Sequence, residues 1–531
     1  INTFEQCTFP AACLGGTNPA LLNKYLTKDK ENDFAECRTG NCTAQCNIAY
    51  TNGSRLCGQC AAHYSHVGLT GQCNECPSLG QNIGVAIGGV FAGILCIFIF
   101  IQLTLSDAGT LDESDGAKSI GLSFIQLISL LVTFPIAWYV LFFSFVFLDT
   151  SYLFLLSSDV QCRPPIFTAI FQVGGAITVL GQHLVNLKCM FPSYTDADVF
   201  YSIQLTWLVA PPLLLAACVT TWHAIDKCMP CITVSHLEIK IKTSCVALLY
   251  LLWPSLCSQA FSLFACRSVC QDDHSFLRAD LDEVCWSGRH LHYALAVGFP
   301  MLLFYVIGFP LAAFLKIRGM QHKLTVRRRT FGETKGLSIF EQERKCVVVV
   351  LALIGLWFLT VVVEMFMHAD KIYGMFYSAF RKETWWWEGT VAARKIVIAL
   401  IGVFGAEMKS MQVHLTAMLV FLITLITAQV RPFGGLKHGL LHKLEVYSLM
   451  ATFLTLWAGS VFNTFPRCED PVKGEGSTLL WCDALSLVVG IIDITVVVAF
   501  VVCFVYLKVE STKDNEEEVN QQHPERLNDE V

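Results

Sequence analysis

Four cysteines, Cys57, Cys60, Cys73 and Cys76, follow the spacing Cys-x2-Cys-x12-Cys-x2-Cys. Thiols so placed either hold a zinc ion, as in zinc ribbons, or form disulfides. Five more lie just upstream, at Cys7, Cys13, Cys37, Cys42 and Cys46, so nine of the chain's 24 cysteines fall in the first 76 residues. That density belongs to small secreted modules, which cannot build a sufficient apolar core. Asn41 and Asn52 each open an N-x-Ser/Thr sequon in the same stretch, and this sugar is added only on the lumenal side. An uncharged apolar run follows directly at 83–105. Together these features favour disulfides over a metal site, and neither a metal nor another cofactor is expected. His63 and His66, between the pairs, read as surface residues.

Charged groups inside apolar runs carry a second kind of chemistry. Asp493 is flanked by Ile491, Ile492 and Ile494, and a carboxylate in that setting faces a bundle interior or an aqueous path. It is an ion-path candidate, with a protonated, helix-pairing acid as the alternative. Glu364, in the apolar run 346–367, carries a similar argument. Glu388, Arg394 and Lys395 form a charge cluster at the start of a span, and the seven-residue spacing returns a helix to nearly the same face, so they could pair across two turns. The functional reading is a gating or voltage-responsive cluster. The favoured reading is an interfacial anchor, with Trp385-Trp386-Trp387 as an aromatic belt and the basic side chains snorkelling to headgroups. No nucleophile, base and orienting group fall together on one side of the membrane, so an enzyme is not expected.

The elements that position these residues follow from composition. The 531 residues are 54% hydrophobic and only 15% charged, with a mean hydropathy of +0.52 and a pI near 6.2. That balance excludes an ordinary soluble domain and gives no basic surface for nucleic acid. Apolar runs near 83–105, 118–147, 200–222, 243–263, 291–315, 390–406, 413–430, 446–463 and 484–507 predict an all-α polytopic transmembrane helix bundle of about nine spans, preceded by a small disulfide-rich ectodomain. The run 346–367 would be a tenth span; Glu364 favours a re-entrant or interface-lying segment instead.

Between Lys316 and Arg329 the chain holds six basic and no acidic residues, and basic loops stay cytoplasmic. Alternation then places the N-terminus outside, on the extracellular or lumenal side of the plasma or endomembrane system. The 148–199 and 264–290 loops fall on the same side, with Cys162, Cys189, Cys266, Cys270 and Cys285. A loop with Cys468 and Cys482 follows them there if 346–367 makes no net crossing. All these cysteines are assigned to disulfides. The organisation read is a disulfide-rich module at 1–80, a helical membrane domain at 81–508 and a disordered acidic tail at 509–531. Prolines within or near spans, at Pro135, Pro211-Pro212, Pro254, Pro300 and Pro310, predict kinks. The chain opens on Ile1 rather than Met, which reads as a processed protein or a fragment.

Several stretches together resemble a family of polytopic protist and algal proteins described as transient-receptor-potential-like, with an epidermal-growth-factor-like or ephrin-receptor-like cysteine module. They are Cys57-Gly58-Gln59-Cys60 with Tyr64, Cys73 and Cys76; Trp253-Pro254-Ser255 with Cys266; Phe276-Leu277-Arg278-Ala279-Asp280 with Cys285-Trp286; Tyr305 to Leu311; Tyr373 to Lys395; Arg431-Pro432; and Leu444-Glu445. The resemblance implies a cation-channel-like protein with a sensing ectodomain. A non-conducting receptor or adhesion protein is the alternative, and a lipid or solute transporter a third, although no internal repeat is visible. Expected partners are membrane lipids, an extracellular protein or ligand at the cysteine module and further copies of the chain, with no nucleic acid.

Overall fold

In a computed structural model, the structure describes residues 7, 12–13, 46–66, 73–105, 114–131, 187–190, 194–228, 237–269, 274–315, 318, 380–408, 410–433, 438–464, 484–485 and 488–509. The N-terminal module holds one small antiparallel sheet, β1 (Tyr64–His66) and β2 (Cys73–Glu75), which pairs Tyr64 with Glu75 and His66 with Cys73. Its buried centre is Ala12, Cys46, Tyr50, Cys57, Cys60 and Cys73, so half-cystines supply most of the core. Disulfides Cys7–Cys13, Cys46–Cys57 and Cys60–Cys73 cross-link the module itself.

The helices are α1 (Leu79–Leu105), α2 (Ser114–Leu131), the short α3 (Leu187–Met190), α4 (Asp196–Cys228), α5 (Leu237–Ser262), α6 (Gly288–Leu315), α7 (Trp387–Phe404), α8 (Ser410–Val430), α9 (His438–Thr464) and α10 (Val488–Val509). Seven of them, α1, α4, α5, α6, α8, α9 and α10, are long and apolar enough to cross a membrane, as a polytopic membrane protein requires. α2 is described only as far as Leu131, and α7 carries Glu388, Arg394 and Lys395 among its apolar residues. Of the expected spans, 118–147 therefore lies partly outside the described residues. The tail from 510 and the 346–367 run with Glu364 lie wholly outside them, as do Asn41, Cys37, Cys42, Cys162, Cys270, Cys468 and Cys482.

α5 is the central helix. Its residues from Thr243 to Cys257 are buried without a break, and a helix apolar on all sides belongs inside a bundle. α1, by contrast, leaves Ile87, Phe91 and Ile94 exposed, and α10 leaves Val501, Val502 and Val505 exposed, as a lipid-facing surface demands. α6 departs from regular geometry at Ala294–Gly298 and Leu302–Gly308, where it widens into π turns. Both lie beside the prolines at 300 and 310, which lack an N–H donor and disturb the ladder. Gly298 sits in the first wide turn because a Cβ there would come within 2.7 Å of the Phe264 ring.

The stretch between α5 and α6 departs from the all-α expectation. It folds into a three-stranded antiparallel sheet of β3 (Cys266–Ser268), β4 (Ser275–Leu277) and β5 (Asp280–Val284), in that order. Cys266 pairs with Leu277, Phe276 pairs with Val284, and the register shifts at Phe276/Leu277. The Cys266–Cys285 disulfide closes the sheet. The cause is local: the cross-link brings the ends of a short stretch together, and two hairpins satisfy its backbone groups where no helix-length apolar run exists.

This sheet and the cysteine module lie at one end of the bundle. Cys76 is bonded to Cys189 of α3, Gln59 donates to Asp280 at the start of β5, and the Arg55 amide donates to Asp282. The Arg278 guanidinium donates to the Val403 carbonyl at 2.8 Å, so α7 finishes at this same end. At the opposite end, Phe314 of α6 packs on Trp385, with ring centroids 5.3 Å apart. The end of α6 and the start of α7 thus lie at the same end of the bundle. α8, α9 and α10 then alternate, with Phe504 late in α10 beside the Lys118 ammonium early in α2.

Candidate functional site

The polar network of the bundle interior starts from the entry to α7. A 3-10 turn, Lys382–Thr384, precedes it. The Thr384 hydroxyl and the Arg381 amide both donate to the Pro432 carbonyl, at 2.7 Å and 2.9 Å, tying this entry to the end of α8. From there α7 carries Glu388, Arg394 and Lys395 inward. Consecutive helical residues point about 100° apart, so Arg394 and Lys395 address different neighbours.

Arg394 Nη1 donates to Glu445 Oε1 of α9 at 2.6 Å, with both side chains less than a twentieth exposed. Lys395 Nζ donates to Gln126 Oε1 of α2 at 2.7 Å and to the Tyr250 hydroxyl of α5 at 3.2 Å. Tyr250 in turn donates to Glu388 Oε1 at 3.2 Å and lies 3.3 Å from Ser123 Oγ. Gln126 Nε2 completes the circuit on the Tyr250 carbonyl at 2.9 Å. Four helices therefore meet through two acidic and two basic groups. Arg394 and Glu445 each stand seven residues into their helices, about 10 Å from the helix start at 1.5 Å per residue.

This placement corrects the headgroup-anchor reading of Arg394 and Lys395. Neither snorkels; both are buried, because Glu445 and Gln126 supply acceptors inside the bundle. Glu388 and Lys395 do share a helix face, yet Tyr250 stands between them as the bonding partner of each. Trp387 is buried rather than part of an exposed belt, whereas Trp386 is exposed. Glu388 Oε2, Arg394 Nε and Trp387 Nε1 are buried with no hydrogen-bond partner among the described residues. They line a small cavity together with Ser119, Ser123 and Glu445.

Asp493 lies five residues into α10, about 8 Å along the helix from its start, in the half of the bundle nearer the module. Both its carboxylate oxygens accept from the Thr455 hydroxyl of α9, at 3.1 Å and 3.0 Å. It is half-buried and remote from the charge network, so the structure does not bring the two together.

The sulfurs of Cys57, Cys60, Cys73 and Cys76 are distributed over three disulfides, to Cys46, to each other in the case of Cys60 and Cys73, and to Cys189. His66 lies near Cys60 and Cys73, and His290 near Cys266 and Cys285, in groupings that resemble metal ligand sets. Their sulfurs are bonded as cystine and offer no thiolate, which zinc binding needs. His290 is occupied otherwise: Nδ1 accepts from the Trp286 amide at 3.0 Å, which leaves Nε2 to donate to the Leu263 carbonyl at 3.0 Å. Among the described side chains, the helical cysteines Cys218, Cys245, Cys257 and Cys503 are free thiols. Asn52 is exposed, and its Oδ1 accepts from the Cys46 amide, which leaves Nδ2, the atom a sugar would take, clear of that bond.

The junction between module and bundle is a second polar site. Asp196, at the start of α4, takes the Lys188 ammonium at 2.6 Å and the Cys60 amide at 3.2 Å, with His66 Nε2 at 3.5 Å. Asp280 accepts from Gln59 Nε2 and from the amides of Ala197 and Asp282. Burial pushes the Asp280 carboxyl above its ordinary value, and the nearby Asp196 adds to this, against the hydrogen bonds that favour the anion. Around it, Arg289 bridges Asp198 and Glu283.

Sequence reasoning did not assign roles to Glu445, Tyr250, Gln126, Asp196 or Asp280. A signal for Glu445 existed: it directly abuts the apolar run expected from 446, and since α9 starts eight residues before that, at His438, the carboxylate falls inside the helix. Tyr250 and Gln126 carry no such signal, since single polar residues in apolar helices are common. Compared with known proteins, the chain matches no family model, no curated protein and no solved structure.

Proposed function

We propose that the chain is a sensing membrane protein of the cation-channel type, in which the cysteine module receives an extracellular or lumenal ligand, partner or force and the bundle responds. The observation that carries this reading is mechanical. The module is bonded covalently to α3 and held by buried side-chain contacts to the start of α4 and to β5. Arg278 then links the β-sheet region to the end of α7, whose other half holds the buried charges. A load on the module therefore reaches Glu388, Arg394 and Lys395 through α7.

Asp493 supports the ion-path side of the reading as a membrane-embedded carboxylate that is only half-buried. The resemblance to transient-receptor-potential-like proteins points the same way, and the chain's role is not catalytic. The test is current: protein reconstituted in planar bilayers should pass cations under ligand, tension or voltage, and Asp493→Asn should change unitary conductance or selectivity. Silence under all three stimuli counts against it. A non-conducting receptor is the second reading, favoured by the internal pairing of Arg394 with Glu445 and of Asp493 with Thr455. In that case loss of the module abolishes partner capture while Asp493→Asn is without effect.

A further inference from the structure

At the end of the bundle remote from the module, α5, α6 and the start of α7 enclose an aromatic cleft. Trp253, Phe309, Phe314, Trp385 and Tyr250 line it, with Glu388 as its charged group. Its cavity volume is about 40 Å³, and its wall is predominantly apolar. Phe314 and Trp385 stand together at 5.3 Å, and Trp253 and Phe309 at 6.5 Å. Glu388 is nine-tenths buried; Oε1 takes the Tyr250 hydroxyl, and Oε2 has no hydrogen-bond partner among the described residues. The neighbouring cations are engaged elsewhere, Arg394 with Glu445 and Lys395 with Gln126 and Tyr250.

A buried carboxylate in the wall of an aromatic cleft calls for a particular cation. Hard metal ions need six or more oxygens, or several waters, and this wall is nearly all carbon. A primary ammonium brings three donors, and the cleft offers a single carboxylate. A quaternary or tertiary ammonium asks for no such set: its charge is spread over methyl groups that rest on aromatic faces, with one carboxylate for the ion pair. We propose that this cleft binds an organic ammonium group of that kind, seated between Trp385, Phe314 and Trp253 and paired with Glu388. The group is either a lipid choline headgroup or a free quaternary amine. The proposal uses only the cleft and is independent of whether the protein conducts.

The experiment uses the full-length protein in nanodiscs. In phosphatidylglycerol discs, tetramethylammonium is titrated calorimetrically. In discs with one phosphatidylcholine for every two phosphatidylglycerols, the lipid retained after detergent extraction is measured by mass spectrometry. Saturable tetramethylammonium binding, weakened about tenfold or more by Glu388→Gln and by Trp385→Leu, identifies a free ligand, since cation–π and ion-pair losses together reach that size. Enrichment of phosphatidylcholine without tetramethylammonium binding, lost in both variants, identifies the lipid headgroup. Neither binding nor enrichment in the parent protein, or either one unchanged in the variants, overturns the proposal. Trp385 is only partly buried, so Trp385→Leu decides the matter should Glu388→Gln fail to fold.

Discussion

The pair Arg394–Glu445 gives the sharpest test of the buried network. Its N···O distance is 2.6 Å, with side-chain exposures of 4% and 3%. Charge centres about 4 Å apart at an effective dielectric near 20 attract by about 4 kcal/mol. Arg394 Nε has no partner among the described residues, so Glu445→Leu would strand a guanidinium that already lacks one bond there, and losing one partner of a buried pair costs about 3–5 kcal/mol. Arg394→Met should cost a similar amount by stranding the carboxylate. The double variant removes both charges, and apolar replacement of a whole buried pair is often neutral or stabilising by about 1–4 kcal/mol. A double-mutant cycle, read by denaturant unfolding in mixed micelles, should therefore show a coupling above about 2 kcal/mol. Coupling below about 1 kcal/mol, the range of exposed pairs, would refute the buried network and restore the two groups to the membrane surface.

Three further outcomes follow from other parts of the structure. The Cys76–Cys189 bond closes a separation of 113 residues, so a protease site inserted between α1 and α2 should yield fragments that part only after reduction. Separation on a non-reducing gel would contradict that pairing, and Cys189→Ser should cost about 4–5 kcal/mol by loop entropy. Thr455→Val removes the donor to Asp493 and should destabilise by about 1–3 kcal/mol, whereas Asp493→Asn/Thr455→Val should recover little, because the amide also needs a partner.

The third outcome concerns pH. Burial raises the Asp280 carboxyl in the folded state, so the folded protein holds this proton more firmly than the unfolded one. From this group, stability falls as pH rises from the ordinary carboxylate value through the raised one, and acidification through that window adds stability. Asp280→Asn should remove that component from the pH profile of unfolding. A profile unchanged by the substitution would show that Asp280 titrates normally.

Much of the site was legible as residue type but not as partnership. Asp493 and the Glu388, Arg394, Lys395 set stand out because charge in an apolar run is costly wherever it sits. Whether such charges face headgroups or one another depends on which helix lies alongside, and the seven-residue spacing of Glu388 and Lys395 says only that they share a face. Glu445 was passed over because the apolar run was started one residue after it. α9 starts earlier, at His438, and packs on α2 and α8.

By itself the sequence determined that this is a multi-helix membrane protein with a cystine-built module, because apolar run length and cysteine density act locally and need no partner to be read. Only the tertiary structure decided the connections. It joined Cys76 to Cys189 across more than a hundred residues, set the start of α7 beside the end of α6, turned Arg394 toward α9 and put Glu388 in the wall of an aromatic cleft. Each of these depends on distances between segments far apart in the chain, which composition and periodicity do not encode.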